Sequence, residues 1–158
     1  NWAVLTPDSV IKKGSRFTVH TKPNIPKKVH PAADIPLLAN SIEVTVLPGP
    51  EFGAFTGDML DSFFGSGHYI TTESNRMGYR IDSTIPGFES CQEIISSGII
   101  PGTIQITGSG QPVILMVDAQ TTGGYPRLGN IITADLDRVA QLKPGDEIWF
   151  LLLQTQER

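Results

Sequence analysis

Alternating apolar and polar positions are the main signal in this sequence, and they predict short β-strands. Residues 41–47 alternate strictly and are rich in β-branched side chains, which is typical of a strand with one buried face. The continuously apolar residues 112–117 indicate a strand that is buried on both faces. Further strands are predicted at residues 16–20, 68–72, 76–81, 103–107, 131–132 and 147–153.

Glycine and proline separate these segments and predict where helices and turns lie. Thr56 is a candidate N-cap for a short helix over residues 58–64, and a second short helix is predicted over 135–141. Residues 108–110 and 143–146 are predicted turns. Four prolines in residues 22–40 predict an extended connector. We therefore predict a tail and connector over 1–40 and a domain over 41–158, mainly β, with one or two short helices.

Composition excludes several classes of function. The formal net charge is −4 and no basic run occurs, so we expect no nucleic-acid binding. No apolar run approaches the roughly 20 residues of a membrane span, so we expect no membrane partner. The single cysteine, Cys91, cannot form an internal disulfide, and no secretory signal is visible, so the expected location is cytoplasmic. Because the chain opens on Asn1, it is expected to be a piece of a longer protein.

The usual sequence signatures of metal and nucleotide sites are missing. The phosphate-binding pattern GxxxxGK[ST] does not occur. His20, His30 and His68 lack the spacing of metal ligands, so no metal is expected. We interpret His68 as the first residue of a strand, with its ring hydrogen-bonded, rather than as a catalytic base.

A candidate anion site lies in residues 74–80, which read SNRMGYR. In a strand, period-two alternation would place Arg76, Gly78 and Arg80 on one face and Met77 and Tyr79 on the core face. Two guanidinium groups with open space between them suit a carboxylate or phosphate. The alternative is a solvated strand face with a glycine bulge, and the pattern alone leaves both interpretations open.

A second candidate segment, residues 118–127, follows the most apolar strand directly. Its amide and hydroxyl groups offer donors and acceptors, and its two glycines permit close backbone approach and positive φ. The Tyr125–Pro126 bond is a candidate for the cis form. The alternative is a structural loop whose hydroxyls cap its own backbone. The candidate binding residues here are Gln120, Thr121, Thr122, Gly123, Gly124 and Tyr125.

Together these segments resemble the biotin-dependent carboxyltransferase / allophanate hydrolase subunit 2 family, which includes the C subunit of bacterial 5-oxoprolinase. Residues 74–80 resemble its S-[DN]-R-M-G-Y-R signature, and residues 120–126 match its Q-T-T-G-G-Y-P. Residues 102–105 and 110–118 resemble its G-x-I-Q and G-x-P-I-x-L-M-x-D stretches, and 140–146 its closing A-Q-x-x-P-G-D. Family members usually carry arginine where this chain has Ala119.

The resemblance implies a cyclophilin-like β-barrel that forms the C-terminal half of a longer protein. The implied partners are the missing N-terminal half of the same protein and a subunit 1-type partner of the family. The implied function is that of a subunit of an enzyme acting on a small amide or lactam, foremost ATP-dependent 5-oxoprolinase or a related biotin-dependent carboxyltransferase. ATP or biotin would be bound by partner subunits and not by this chain.

Within that resemblance, Arg76 and Arg80 would hold the substrate anion. Gln120, Thr121 and Thr122, with the backbone of the two glycines after them, would bind the amide or a developing oxyanion. Asp118 is a candidate base only if it points into the site, and no general base is assigned. The alternative function is a regulatory protein that pairs with and antagonises a kinase inhibitor. Proline isomerisation is suggested only by the fold, and the cyclophilin sequence signatures are absent.

Overall fold

The computed structural model describes residues 13–16, 38–88 and 94–153. The chain divides into two compact units, residues 1–36 and 37–158, and the second unit contains the β-strands and α-helices of the described residues. Most of the predicted tail and connector lies outside the described residues, as do His20, His30 and Cys91. The predicted strand at 16–20 also falls outside them, apart from Arg16.

The described residues contain nine strands: β1 (Ser41–Pro48), β2 (His68–Tyr69), β3 (Gly78–Arg80), β4 (Ser97–Gly98), β5 (Thr103–Ile106), β6 (Pro112–Leu115), β7 (Thr122–Gly123), β8 (Arg127–Ile131) and β9 (Glu147–Leu152). Seven of them form one sheet, in the order β2-β9-β1-β8-β5-β6-β3, and β4 and β7 pair separately as a small ribbon.

The sheet is built around β1, which pairs in parallel with β9 and antiparallel with β8. The predicted alternation holds along β1, because Ile42, Val44 and Val46 are buried whereas the residues between them face outward. Ile148 and Phe150 repeat the pattern on β9. One face of the sheet therefore supplies the core, and each buried aliphatic side chain contributes about 1.5–3 kcal/mol to stability.

The two edges of the sheet are joined, so the sheet closes into a barrel. Ile70 follows β2 and Ile81 follows β3, and the two residues form an antiparallel bridge. The amide of Thr71 donates to the carbonyl of Arg80 at 2.9 Å, which extends the contact between the edge strands. The predicted mainly β barrel is confirmed.

Both predicted helices are present, and their observed first residues differ from the predicted ones. α1 (Gly57–Phe64) begins after Thr56, whose Oγ1 accepts a hydrogen bond from the amide of Met59 as predicted for an N-cap. α2 (Thr133–Val139) begins two residues earlier than predicted. The carboxylate of Asp135, in its first turn, accepts a hydrogen bond from the amide of Thr45, which attaches the helix to β1.

His68 is the first residue of β2 and its ring is fully hydrogen-bonded, which confirms its structural interpretation. The ring is buried; Nδ1 lies 2.6 Å from Oγ of Ser83 and Nε2 lies 2.7 Å from the carbonyl oxygen of Phe63. Because a carbonyl can only accept, Nε2 is a donor, while the serine hydroxyl can serve either role toward Nδ1. The ring also packs beside Phe63 and Phe150 in the core.

Several strand predictions had the wrong length. The strand predicted at 68–72 ends at Tyr69, those predicted at 103–107 and 147–153 are each one residue too long, and the one predicted at 131–132 covers only the last residue of β8. β6 ends at Leu115 and not at residue 117, because a turn follows in which the amide of Ala119 donates to the carbonyl of Met116 at 3.1 Å, and Val117 in this turn is 76% exposed. The predicted strand at 76–81 begins only at Gly78, because a turn occupies the residues before it.

Candidate functional site

A tight turn over residues 75–78 changes the prediction for the first arginine. The amide of Gly78 donates to the carbonyl of Asn75 at 3.2 Å, and the amide of Asn75 donates back to Gly78 at 3.0 Å. The Asn75 side chain also accepts from the amide of Met77, which is a local pattern that competes with a strand. Arg76 therefore lies in the turn, and its predicted place on one strand face with Arg80 is wrong.

Arg76 is held at the surface by an acidic neighbour. Its side chain is 87% exposed, and its Nε lies 3.2 Å from Oδ2 of Asp118. The carboxylate of Asp118 therefore forms an ion pair with Arg76. Asp118, the candidate base, does not line the pocket described below. Met77, expected in the core, is half-exposed because it too belongs to the turn.

Arg80 lies in β3 and presents its guanidinium to a pocket. Its Nη1 donates to the side-chain oxygen of Gln111 at 3.1 Å, which orients the group. Its Nε lies 3.7 Å from a carboxylate oxygen of Glu73, whose side chain is 75% exposed. Because such an exposed pair is worth at most about 1 kcal/mol, Glu73 can yield its place to a ligand anion.

The pocket has a volume of about 250 Å³ and combines residues from the two predicted segments. Val113 and Leu115 of β6 form an apolar part of its wall, and Gly78 adds no side chain to fill it. Its polar groups are one guanidinium, one carboxylate, three amides and two hydroxyls. The lining residues are Glu73, Asn75, Met77, Gly78, Arg80, Gln105, Thr107, Val113, Leu115, Gln120 and Tyr125.

The second predicted segment contains one strand of the ribbon, and two of its residues, one on either side of that strand, line the pocket. Thr122–Gly123 forms β7, which pairs with β4. The carbonyl of Thr121 accepts a hydrogen bond from the amide of Ile99 at 3.0 Å, so this residue continues the ribbon. Gln120 and Tyr125 line the pocket, whereas the four residues between them do not.

The two glycines of the ribbon permit close approach but do not adopt positive φ. A Cβ atom on Gly123 would lie 2.7 Å from Nε2 of Gln105, and one on Gly124 would lie 3.1 Å from the carbonyl oxygen of Ile94. Neither glycine uses the positive φ that its residue type allows. The Tyr125–Pro126 bond is trans, since the described residues contain no cis peptide.

Gln105 is a pocket residue whose role sequence reasoning missed. It is 2% exposed and lies in β5, where Ile104 and Ile106 face the core. Its Nε2 donates to the carbonyl of Tyr125 at 3.2 Å. The available signal was its place in the G-x-I-Q stretch: an amide inside an otherwise apolar strand needs a polar partner.

A second missed feature is a bidentate ion pair that attaches the ribbon to the barrel. Arg127 donates through Nε and Nη2 to the two carboxylate oxygens of Glu51 at 2.8 and 2.6 Å. Its Nη1 donates to the carbonyl of Gly98 in β4 at 2.8 Å. The hydrogen bonds from Arg127 hold the pKa of Glu51 below its usual value, and the same contact raises the pKa of Arg127.

No group of three or more potential metal ligands occurs among residues 13–16, 38–88 and 94–153. Within the same residues, no helix has the length and apolar character needed to cross a bilayer.

The barrel and its pocket define a carboxyltransferase-type domain. Residues 6–152 match the family described as carboxyltransferase domain, subdomain A and B. The chain belongs to this family, which confirms the resemblance found in the sequence.

Curated relatives are named as subunits of one enzyme. The chain is 42% identical over 114 residues to the 5-oxoprolinase C subunit of Escherichia coli, an alignment that covers 72% of this chain and 37% of the relative. The corresponding protein of Haemophilus influenzae is 39% identical over 114 residues, with the same coverage of 72% and 37%. The chain therefore spans little more than a third of the length of these relatives.

Urea-processing enzymes are also similar to this chain. A putative urea carboxylase of Emericella nidulans is 29% identical over 126 residues, which cover 73% of this chain and 10% of that protein. The solved urea carboxylase of Kluyveromyces lactis has a TM-score of 0.65 at 26% identity and covers 73% of this chain and 11% of its own. The urea amidolyase structure of the same yeast, at 24% identity and a TM-score of 0.68, supports the fold.

Proposed function

We propose that this chain contributes the substrate pocket of an enzyme that acts on a small carboxylate-bearing amide or lactam, with 5-oxoproline as the substrate and glutamate as the product. The observation that carries the proposal is the guanidinium of Arg80, which lines a pocket otherwise rich in amide groups. A guanidinium recognises a carboxylate through two parallel hydrogen bonds.

The surroundings of Arg80 favour a bound anion over a permanent internal ion pair. Gln111 fixes the guanidinium through Nη1, and Nε faces the carboxylate of Glu73. Glu73 is mostly exposed and its contact is long, at 3.7 Å. A substrate carboxylate in the pocket would form a shorter pair away from bulk water, where the attraction is stronger.

The amide groups supply partners for the rest of the substrate. Gln120 carries both donors and an acceptor, and Tyr125 carries a hydroxyl at the same pocket. The oxyanion role of the ribbon backbone at residues 121–124 stays a prediction, as does a direct role for Arg76. In the structure Arg76 neutralises Asp118, which lowers the negative charge close to the end of β6.

The rest of the reaction belongs to other parts of the enzyme. The sequence has no phosphate-binding loop, so ATP or carboxybiotin would be handled by partner subunits. The coverage of 37% of the 5-oxoprolinase C subunit of Escherichia coli supports a missing half that completes the site. A subunit 1-type protein of the same family is the expected second partner.

The test uses the full-length protein in its complex with partner subunits, with ATP-dependent release of glutamate from 5-oxoproline as the readout. We expect Arg80→Ala to lower kcat/KM by about 10- to 100-fold, since it removes a charge-assisted contact worth roughly 1.5–3 kcal/mol. Arg80→Lys should recover part of this loss because it keeps the charge without the bidentate geometry. Arg138→Ala, on the exposed side of α2, is the matched control.

The variant Arg76→Ala distinguishes the contribution of Arg76 to activity from that of Arg80. A modest effect on kcat/KM is expected, because Arg76 is a surface residue and does not line the pocket. Full activity of Arg80→Ala would refute the anion site. Absence of turnover in a verified complex of wild-type subunits would favour another amide substrate or the regulatory alternative.

A further inference from the structure

The orientation of the Gln105 amide is fixed by its neighbours. Nε2 donates to the carbonyl oxygen of Tyr125 at 3.2 Å, and a carbonyl oxygen accepts only. The nitrogen of the amide must therefore face the Tyr125 carbonyl, which leaves Oε1 outside this hydrogen bond. Reversing the amide would place two oxygens against each other and lose this hydrogen bond.

The ribbon also restricts movement of this side chain. Gly123 approaches so closely that an added Cβ would lie 2.7 Å from Nε2 and 3.3 Å from Oε1 of Gln105. The residue is 2% exposed, so it is enclosed on all sides except the pocket. A rotamer that withdraws the amide from the pocket would have to displace the ribbon.

Oε1 of Gln105 has no hydrogen-bond donor in the part of the chain that the structure describes. It is nevertheless not sealed in the protein, because the fully buried, unpaired side-chain atoms among the described residues are Oγ1 of Thr71 and Oγ of Ser97. Oε1 therefore retains some access to solvent, and Gln105 lines the pocket. A largely buried acceptor without a donor is unfavourable, and a ligand N–H relieves that cost.

We propose that Gln105 determines substrate specificity by accepting a hydrogen bond from an N–H of the substrate, so that the pocket selects carboxylates that carry a secondary amide. Arg80 would bind the carboxylate, so this inference rests on the proposed function. The two groups match a small lactam in which the N–H and the carboxylate are attached to one carbon, as in 5-oxoproline. Urea offers N–H groups but has no carboxylate for Arg80.

The test compares two ligands that differ in one atom. Equilibrium binding to the full-length protein in its complex is measured by calorimetry for 5-oxoproline and for its lactone analogue, in which the ring oxygen replaces the N–H. Wild type should bind the lactam about tenfold more tightly, the effect of losing one hydrogen bond to a buried acceptor. Gln105→Met keeps the side-chain length without the amide and should reduce this preference to about one.

Arg80→Ala provides the matched comparison, because it should weaken both ligands equally and preserve the lactam preference. If the wild-type protein bound lactam and lactone equally well, this result alone would overturn the role of Gln105. Retention of the preference in Gln105→Met would overturn it as well, while the anion site would stand as long as Arg80→Ala weakened both ligands. If Arg80→Ala left both affinities unchanged, the proposed function itself would fail.

Discussion

At the scale of single residues, the ion pair of Glu51 and Arg127 organises the surroundings of the pocket. The two residues are 76 positions apart, and both carboxylate oxygens are used. Because Arg127 also binds the carbonyl of Gly98, one guanidinium joins the barrel to the ribbon. No periodicity or motif indicates such a contact, since it depends on where distant loops meet in the folded chain.

Replacement of the acid should loosen the ribbon in a pH-dependent way. At neutral pH, Glu51→Gln in the full-length protein should raise hydrogen exchange of the β4 and β7 amides about tenfold, since a charge-assisted pair is weakened. The folded state lowers the pKa of Glu51, so the ion pair stabilises above the ordinary value of 4.5. This stabilisation is lost as the pH falls through the lower folded-state pKa.

The measurement is therefore the ratio of variant to wild-type exchange rates, taken from about pH 7 to about pH 3, because intrinsic rates cancel in the ratio. The ratio should approach one at the acidic end. Arg138→Ala removes a more exposed ion pair and should leave the ribbon unchanged at every pH. A ratio for Glu51→Gln that did not vary with pH would show that its charge has no part in holding the ribbon.

At the scale of elements, the sequence indicated both helices and most strands of the core, but only the last residue of β8 and neither strand of the paired ribbon. The alternation along β1 and the cap at Thr56 each reflect local physics, and both are present. By contrast, residues 120–125 appear as a polar loop in the sequence, because β7 is two residues long and its partner β4 is only Ser97–Gly98. Pairs this short arise from tertiary contacts and leave no periodic signal.

The ribbon offers a matched pair of glycines for testing its effect on the pocket. Gly123→Ala would place a methyl group 2.7 Å from Nε2 of Gln105, whereas a Cβ on Gly98 of the opposite strand would meet nothing within 4 Å. Since overpacking costs about 1–3 kcal/mol, Gly123→Ala should raise KM for the proposed substrate, 5-oxoproline, at least several-fold. Gly98→Ala should leave KM near the wild-type value.

Exchange of the β4 and β7 amides accompanies the kinetic assay in both variants. A raised KM with faster exchange in Gly123→Ala alone indicates that the ribbon moves away from the pocket. Similar KM values for the two variants would contradict the close contact between Gly123 and Gln105.

At the scale of the whole molecule, the barrel followed from sequence more completely than the site. Short strands separated by glycine and proline turns indicated the class of fold, and the family motifs indicated two segments that both contribute residues to the pocket. Of the eight predicted binding residues, Arg80, Gln120 and Tyr125 line the pocket. The others do not. For Arg76, the prediction assumed that the strand continued through a segment that is a turn, and residues 121–124 are held in or beside the ribbon and do not line the pocket.

The parallel pairing of β1 and β9 has a consequence for the timing of folding during synthesis. Ser41 and Glu147 are 106 residues apart, yet their strands are neighbours within the sheet, and neither is an edge strand in its order. In ribosome-bound chains of increasing length, protease resistance of the barrel should therefore appear only after β9 has left the ribosome. Resistance in chains that stop before Glu147 would contradict this. Until β9 emerges, β1 presents an unpaired edge in the growing chain, and the cell must keep that edge from pairing with another molecule.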